Sequence, residues 1–152
     1  MNAMKRLQFS ITIAAPPLQV SRCMTDPESY RDWTSAFAEG SHFEGSWAQG
    51  QPIRFLAPSG DGMLSEIAEH RPGEFISIRH LGMIVGGVVD TTSEAARPWV
   101  SAYENYSFQA VPEGTRLVVD QDVGAEHEAY MQQAWHRALA RLKALCEGPA
   151  KP

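Results

Sequence analysis

Two ionisable residues stand in stretches that otherwise read as β-strands: His80 in EFISIRHL and Glu104 in WVSAYENYSF. An imidazole and a carboxylate within reach of each other suit acid–base catalysis near neutral pH, and either can instead orient the polar group of a ligand. Whether they meet depends on which way they face. Strand residues of one parity share a face. In the second stretch Val100, Ala102, Glu104, Tyr106, Phe108 and Ala110 form one set, apolar except for Glu104 and the Tyr106 hydroxyl. The other set, Trp99, Ser101, Tyr103, Asn105, Ser107 and Gln109, is mixed. The even face is therefore expected to meet the core and to carry Glu104 inward. In the first stretch Ile76, Ile78 and His80 share the more apolar face, against Phe75, Ser77, Arg79 and Leu81. Both groups are thus expected on the inner faces of neighbouring antiparallel strands. A buried carboxylate needs a partner. Tyr106, His80 or Arg54 would make Glu104 a fixture of the sheet; an open cavity would make it a contact for a ligand.

Other chemistry finds less support. His42, His70, His127 and His136 lack metal-ligand spacing, so no metal and no cofactor is expected. Gly60-Asp61-Gly62 lacks the lysine and helix of a phosphate loop. Ser59, Ser65 and Ser77 lack the strand–turn–helix setting of a nucleophile. Asp120 and Asp122 alternate with Val119, Gln121 and Val123 and read as a solvated strand face. Cys23 and Cys146 belong to no ligand or redox motif and read as buried thiols of a reducing compartment.

The elements that must position His80 and Glu104 follow from periodicity. Leu7, Phe9, Ile11 and Ile13 alternate with polar residues in a first strand. Pro16-Pro17 opens a short helix over 18–24, and Thr25-Asp26-Pro27-Glu28 reads as a capping box, with Thr25 the N-cap, for a second one reaching Trp33. SHFEGSW, PIRFLAP, MLSEIAEH and EFISIRHL are successive strands. Gly82–Pro98 reads as one long connection. WVSAYENYSFQAV and TRLVVDQDV then form a hairpin about Pro112-Glu113-Gly114. From Glu126 to Glu147 neither Gly nor Pro intervenes, and Met131, Trp135, Ala138, Leu142 and Leu145 make one helical stripe.

The 152 residues, 43% hydrophobic, suit a single domain over 1–152. A net charge of −5 with scattered basic residues argues against nucleic acid and anionic membrane surfaces as partners. No segment approaches a membrane span, and the N-terminal stretch lacks the unbroken apolar run of a signal peptide, so a cytoplasmic location is expected. Trp99 and Tyr103, read as exposed aromatics on the odd face, would suit a homodimer.

The order of strand, two short helices, consecutive antiparallel strands and one long helix resembles the helix-grip fold of the SRPBCC, or START/Bet v 1-like, superfamily. ITIAAPPLQV, TDPESYRDW, FEGSWAQGQPIRF, EHRPGEFISIRHLG, WVSAYENYSF, GTRLVV and the last helix carry the resemblance. It is nearest to the branch of homologues of the activator of heat-shock protein 90 ATPase. The resemblance implies an α+β fold: a curved antiparallel sheet of six to seven strands around a long C-terminal helix, with a pocket between them. Trp33, His80, Glu104, Tyr106, Met131 and Trp135 are the residues expected to contact a small hydrophobic or amphipathic ligand there. Two alternatives stand beside ligand binding. One is a cyclase-, isomerase- or hydrolase-type enzyme using His80 and Glu104; the other is a co-chaperone-like interaction module.

Overall fold

The computed structural model describes residues 4–148. Strand β1, Met4–Ile13, buries Leu7 and Ile13 on its apolar parity. Helix α1, Pro17–Thr25, starts on a proline whose missing N–H costs nothing in a first turn, and it buries Val20 and Met24. Helix α2, Pro27–Trp33, is capped by Asp26, whose carboxylate accepts from the N–H groups of Glu28 and Ser29, both at 3.1 Å. The expected Thr25 cap is thus displaced by one residue. Pro27 takes the first helical position, which leaves the cap to Asp26, while the Thr25 hydroxyl turns back to the Ser21 carbonyl at 3.2 Å.

The rest of the sheet comprises β2 (His42–Gly45), β3 (Pro52–Leu56), β4 (Gly62–Arg71), β5 (Phe75–Val85), β6 (Val88–Asp90), β7 (Tyr103–Val111) and β8 (Gly114–Gly124). All pairings are antiparallel, in the order β1-β8-β7-β5-β4-β3-β2, with β6 attached to β5. Helix α3, Glu128–Glu147, follows a short 3-10 turn. The chain therefore has the expected α+β helix-grip layout, with eight strands among the described residues instead of six or seven. The additional strand lies within the segment read as a long connection. β5 continues to Val85, Gly86 and Gly87 adopt φ of 60° and 80°, and β6 returns along it. Two successive positive φ values are what a two-residue hairpin requires and what glycine supplies without strain.

The seventh strand starts later than expected. Arg97–Trp99 forms a 3-10 turn, Ser101 takes φ 69°, and pairing begins only near Tyr103. Trp99 therefore leaves the strand face, and both it and Tyr103 are half-buried rather than exposed. β5 also carries a bulge: Ser65 pairs with His80 and Leu64 with Gly82, leaving Leu81 unmatched.

The core lies between the concave side of the sheet and the helices. Ile13, Ile67, Ile76, Ile78, Leu117 and Val119 of the sheet meet Trp135, Ala138, Leu139 and Leu142 of α3, with Val20, Met24 and Trp33 from the short helices. Burying one such large side chain contributes roughly 1.5–3 kcal/mol. Polar clasps at the surface hold α3 in place: Arg141 Nε donates to Asp32 Oδ1 at 2.9 Å, and the Ala14 N–H donates to Glu147 Oε2 at 2.6 Å.

Candidate functional site

The register of β5 against β7 sets the separation of His80 and Glu104. Ile78 pairs with Glu104, while the His80 N–H donates to the Ala102 carbonyl at 2.8 Å. His80 and Glu104 are therefore diagonal neighbours on one face, close enough for long side chains to meet. His80 Nε2 lies 3.8 Å from Glu104 Oε1, an approach too long for a hydrogen bond. Both side chains point inward, as parity predicts.

Each is held by groups that burial leaves few alternatives. Ser65 Oγ on β4 lies 2.7 Å from His80 Nδ1, and the serine is wholly buried. Burial lowers the pKa of His80, opposed by the charges of Glu104 and Asp122, so the imidazole favours its neutral form. That form carries a single ring proton. With Ser65 donating to Nδ1, the proton resides on Nε2 and faces the carboxylate; the other tautomer would point a lone pair at it. Electrostatics thus selects Nε2–H.

Glu104 accepts hydrogen bonds at both oxygens. The Tyr106 hydroxyl, two residues along the same face, donates to Oε2. Burial, then the Glu104 charge, then that hydrogen bond push the Tyr106 pKa well above its ordinary value, so it remains a donor. Gln121, directly opposite Glu104 on β8, donates from Nε2 to Oε1 at 3.1 Å. The orientation of this amide is fixed from its far side. Trp135 Nε1 donates to Gln121 Oε1 at 2.8 Å, and an indole N–H can only donate. A chain from α3 through β8 to β7 thus presents an N–H to the carboxylate.

These groups border a cavity of about 300 Å³ between the sheet and α3. Trp33, His80, Glu104, Met131 and Trp135 all line it. Tyr106 does not: it is 1% exposed and stands behind Glu104. The rings of Tyr30, Phe37, Phe55 and Trp99 supply further wall, and the exposed Asp61 sits at the mouth. Trp99 also borders a second cavity of about 530 Å³, shared with Met4, Met83, Glu126 and His127. Sequence reasoning missed Gln121, Ser65 and Tyr30. Gln121 had a usable signal, since it shares parity with the buried Leu117, Val119 and Val123. Arg54, considered as a partner for Glu104, pairs across to Glu44 and Leu64 and is not on the cavity wall. Among the described residues no three His, Cys, Asp or Glu side chains cluster as metal ligands, and no helix is long and apolar enough to cross a membrane.

A curved antiparallel sheet gripping a C-terminal helix over a ring-lined cavity defines an SRPBCC-type helix-grip protein. The chain belongs to the family described as polyketide cyclase / dehydrase and lipid transport, whose model matches residues 4–147. No match was found among curated proteins. Among solved structures, the protein MLL2253 from Mesorhizobium loti is similar at TM-score 0.72 and 15% identity, covering 97% of this chain and 100% of its own. The Aha1 dimer from Colwellia psychrerythraea is similar at TM-score 0.71 and 16% identity, over 95% of this chain and 97% of its own. DynU16, a protein of the dynemicin biosynthetic locus, is similar at TM-score 0.67 and 18% identity, over 94% of this chain and 47% of its own. At these identities the likeness is one of fold.

Proposed function

We propose that residues 1–152 form one cytoplasmic domain that binds a small hydrophobic or amphipathic molecule between the sheet and α3. The cavity of about 300 Å³, apolar in most of its wall and polar at His80, Glu104 and Gln121, carries this reading. Membership of a family described by cyclases, dehydrases and lipid transport supports it. A thermal-shift screen of apolar metabolites tests it. Ligands are expected to stabilise the wild type and to lose their effect in Met131→Trp, where the larger ring fills the space. A screen in which no compound stabilises the protein, with Nile red fluorescence unchanged on mixing, would refute binding.

A second reading is favoured by the 3.8 Å approach of His80 and Glu104 at the cavity wall: an acid–base pair acting on the bound molecule. A bound compound would then be recovered chemically altered from the wild type and unaltered from His80→Asn. Equal recovery from both would remove the enzymatic reading and leave binding intact. The dimeric Aha1 structure supports testing a homodimer by light scattering; a single species of monomer mass would dispose of it.

A further inference from the structure

The described residues that line the cavity include two carboxylates, Glu104 and Asp61, and most of the hydrogen-bond donors there are already used. No lysine or arginine is among the described residues that line it. Trp33 Nε1 donates to the Met24 carbonyl at 3.2 Å, and Trp135 Nε1 donates to Gln121. Both indoles therefore offer the cavity carbon and π surface rather than N–H groups. The Gln121 amide is engaged at both ends, and the Tyr106 hydroxyl is committed to Glu104.

Glu104 remains rich in acceptor capacity. A carboxylate has about four lone-pair sites. Two are taken by Tyr106 and Gln121, and His80 stands off at 3.8 Å. All three neighbours are neutral. The protein thus sets no cation beside this partly buried carboxylate, and away from bulk water an opposite charge brought to it by a ligand interacts more strongly than it would in solution. Tyr30 lines the same space, near enough to Glu104 to feel its charge. Burial and the Glu104 charge raise its pKa, so it faces a ligand as a neutral phenol. Aromatic faces around a site without a cation attract a cationic group through the ring quadrupole. At the mouth, Asp61 adds a second negative charge.

We propose, resting on the binding reading above, that this cavity selects ligands carrying an ammonium group on an aromatic or apolar body. Glu104 holds the ammonium, the tryptophan rings hold the body, and the Tyr30 hydroxyl supplies an additional polar contact. Carboxylate-bearing ligands such as free fatty acids are disfavoured, because they would place like charges together without water between them.

Three probes with one ring system separate the alternatives: tryptamine (cation), tryptophol (neutral) and indole-3-propionate (anion). Titration calorimetry on the full chain at pH 7 is expected to show tryptamine binding at least tenfold more tightly than tryptophol, with the propionate weakest. In Glu104→Gln the tryptamine advantage is expected to fall below threefold while tryptophol affinity changes less than threefold. The wild-type ranking needs no variant, so it stands as a test even if Glu104→Gln fails to fold. Tryptophol equal to or tighter than tryptamine, or the propionate tightest, would overturn the proposal. Nile red uptake with no preference among the three indoles overturns cation selection and leaves the binding reading standing. Absence of uptake by any probe overturns both.

Discussion

Replacing Gln121 with leucine should show how much the polar chain between helix and sheet contributes. The leucine keeps most of the volume and removes both hydrogen bonds of the amide. Trp135, 1% exposed, is then left with a buried N–H that has lost its acceptor, at a cost of about 1–3 kcal/mol. Glu104 loses a donor, and hydrogen bonds to charged groups are worth about 1.5–3 kcal/mol. The leucine's own apolar surface offsets part of this, so a net loss of about 3 kcal/mol is expected. For a chain of this length that corresponds to a fall in Tm of about 6–12 °C. The partner variant Trp135→Phe orphans the Gln121 carbonyl instead. The double variant orphans neither group of that pair, so it should cost about 1–3 kcal/mol less than the two single losses together. Urea denaturation followed by far-ultraviolet circular dichroism gives all four values. Additivity within 0.5 kcal/mol, or a Gln121→Leu loss under 0.5 kcal/mol, would refute this account of the chain.

The depressed pKa of His80 makes stability depend on pH in one direction. The unfolded state takes up a proton at about 6.5, before the folded state does, so the folded form loses stability as pH falls below that value. Urea midpoints at pH 8 and pH 5.5 should converge for wild type and His80→Gln at the lower pH; parallel profiles would contradict it. Tyr106→Phe removes the hydroxyl that donates to Glu104 and should cost about 1.5–3 kcal/mol by the same denaturation assay, with an effect under 0.5 kcal/mol ruling the contact unimportant. Cys23 and Cys146 lie side by side, and the hydrogen bond from the Cys146 thiol lowers the Cys23 pKa to about 7 while that of Cys146 rises. Iodoacetamide at pH 7.5 should therefore alkylate Cys23 first, as peptide mass mapping would show; faster labelling of Cys146 would reverse the assignment.

The inward face of Glu104 could be read from sequence because Ala102, Tyr106 and Phe108 hold the same parity without interruption. Its meeting with His80 could not. That depends on the register of β5 against β7, which the intervening Gly86-Gly87 hairpin and the 3-10 turn at Pro98 separate from any short-loop constraint. Trp99 was misplaced because the backbone leaves the strand at Ser101, a residue type with no strong preference for positive φ. Gln121 was hidden by its neighbours. Asp120 and Asp122 make the segment look polar, although alternation puts both on the opposite face. Ser65 lacks a nucleophile's setting in the sequence, and its buried contact with the imidazole exists only because β4 lies beside β5. The two thiols, 123 positions apart, gave no sign of contact, because nothing local records how α1 lies against α3.

The strand order also bears on how the molecule is made. Among the described residues β1 is an edge strand with β8 as its one neighbour, and Ile13 pairs with Thr115. During synthesis the first strand leaves the ribosome with nothing to zip against until about a hundred further residues have emerged. Until then its apolar side, with Leu7 and Ile13, has no sheet partner. Contacts this distant in sequence slow folding, since loop closure must precede the contacts that stabilise it. The hairpins from β2 to β5 join neighbours in sequence; the seam between β1 and β8 cannot close until β8 has emerged, and α3 is translated after it. A nascent chain stalled before β8 would expose an unpaired strand edge and an uncovered apolar face, the state in which chaperones and aggregation compete for it.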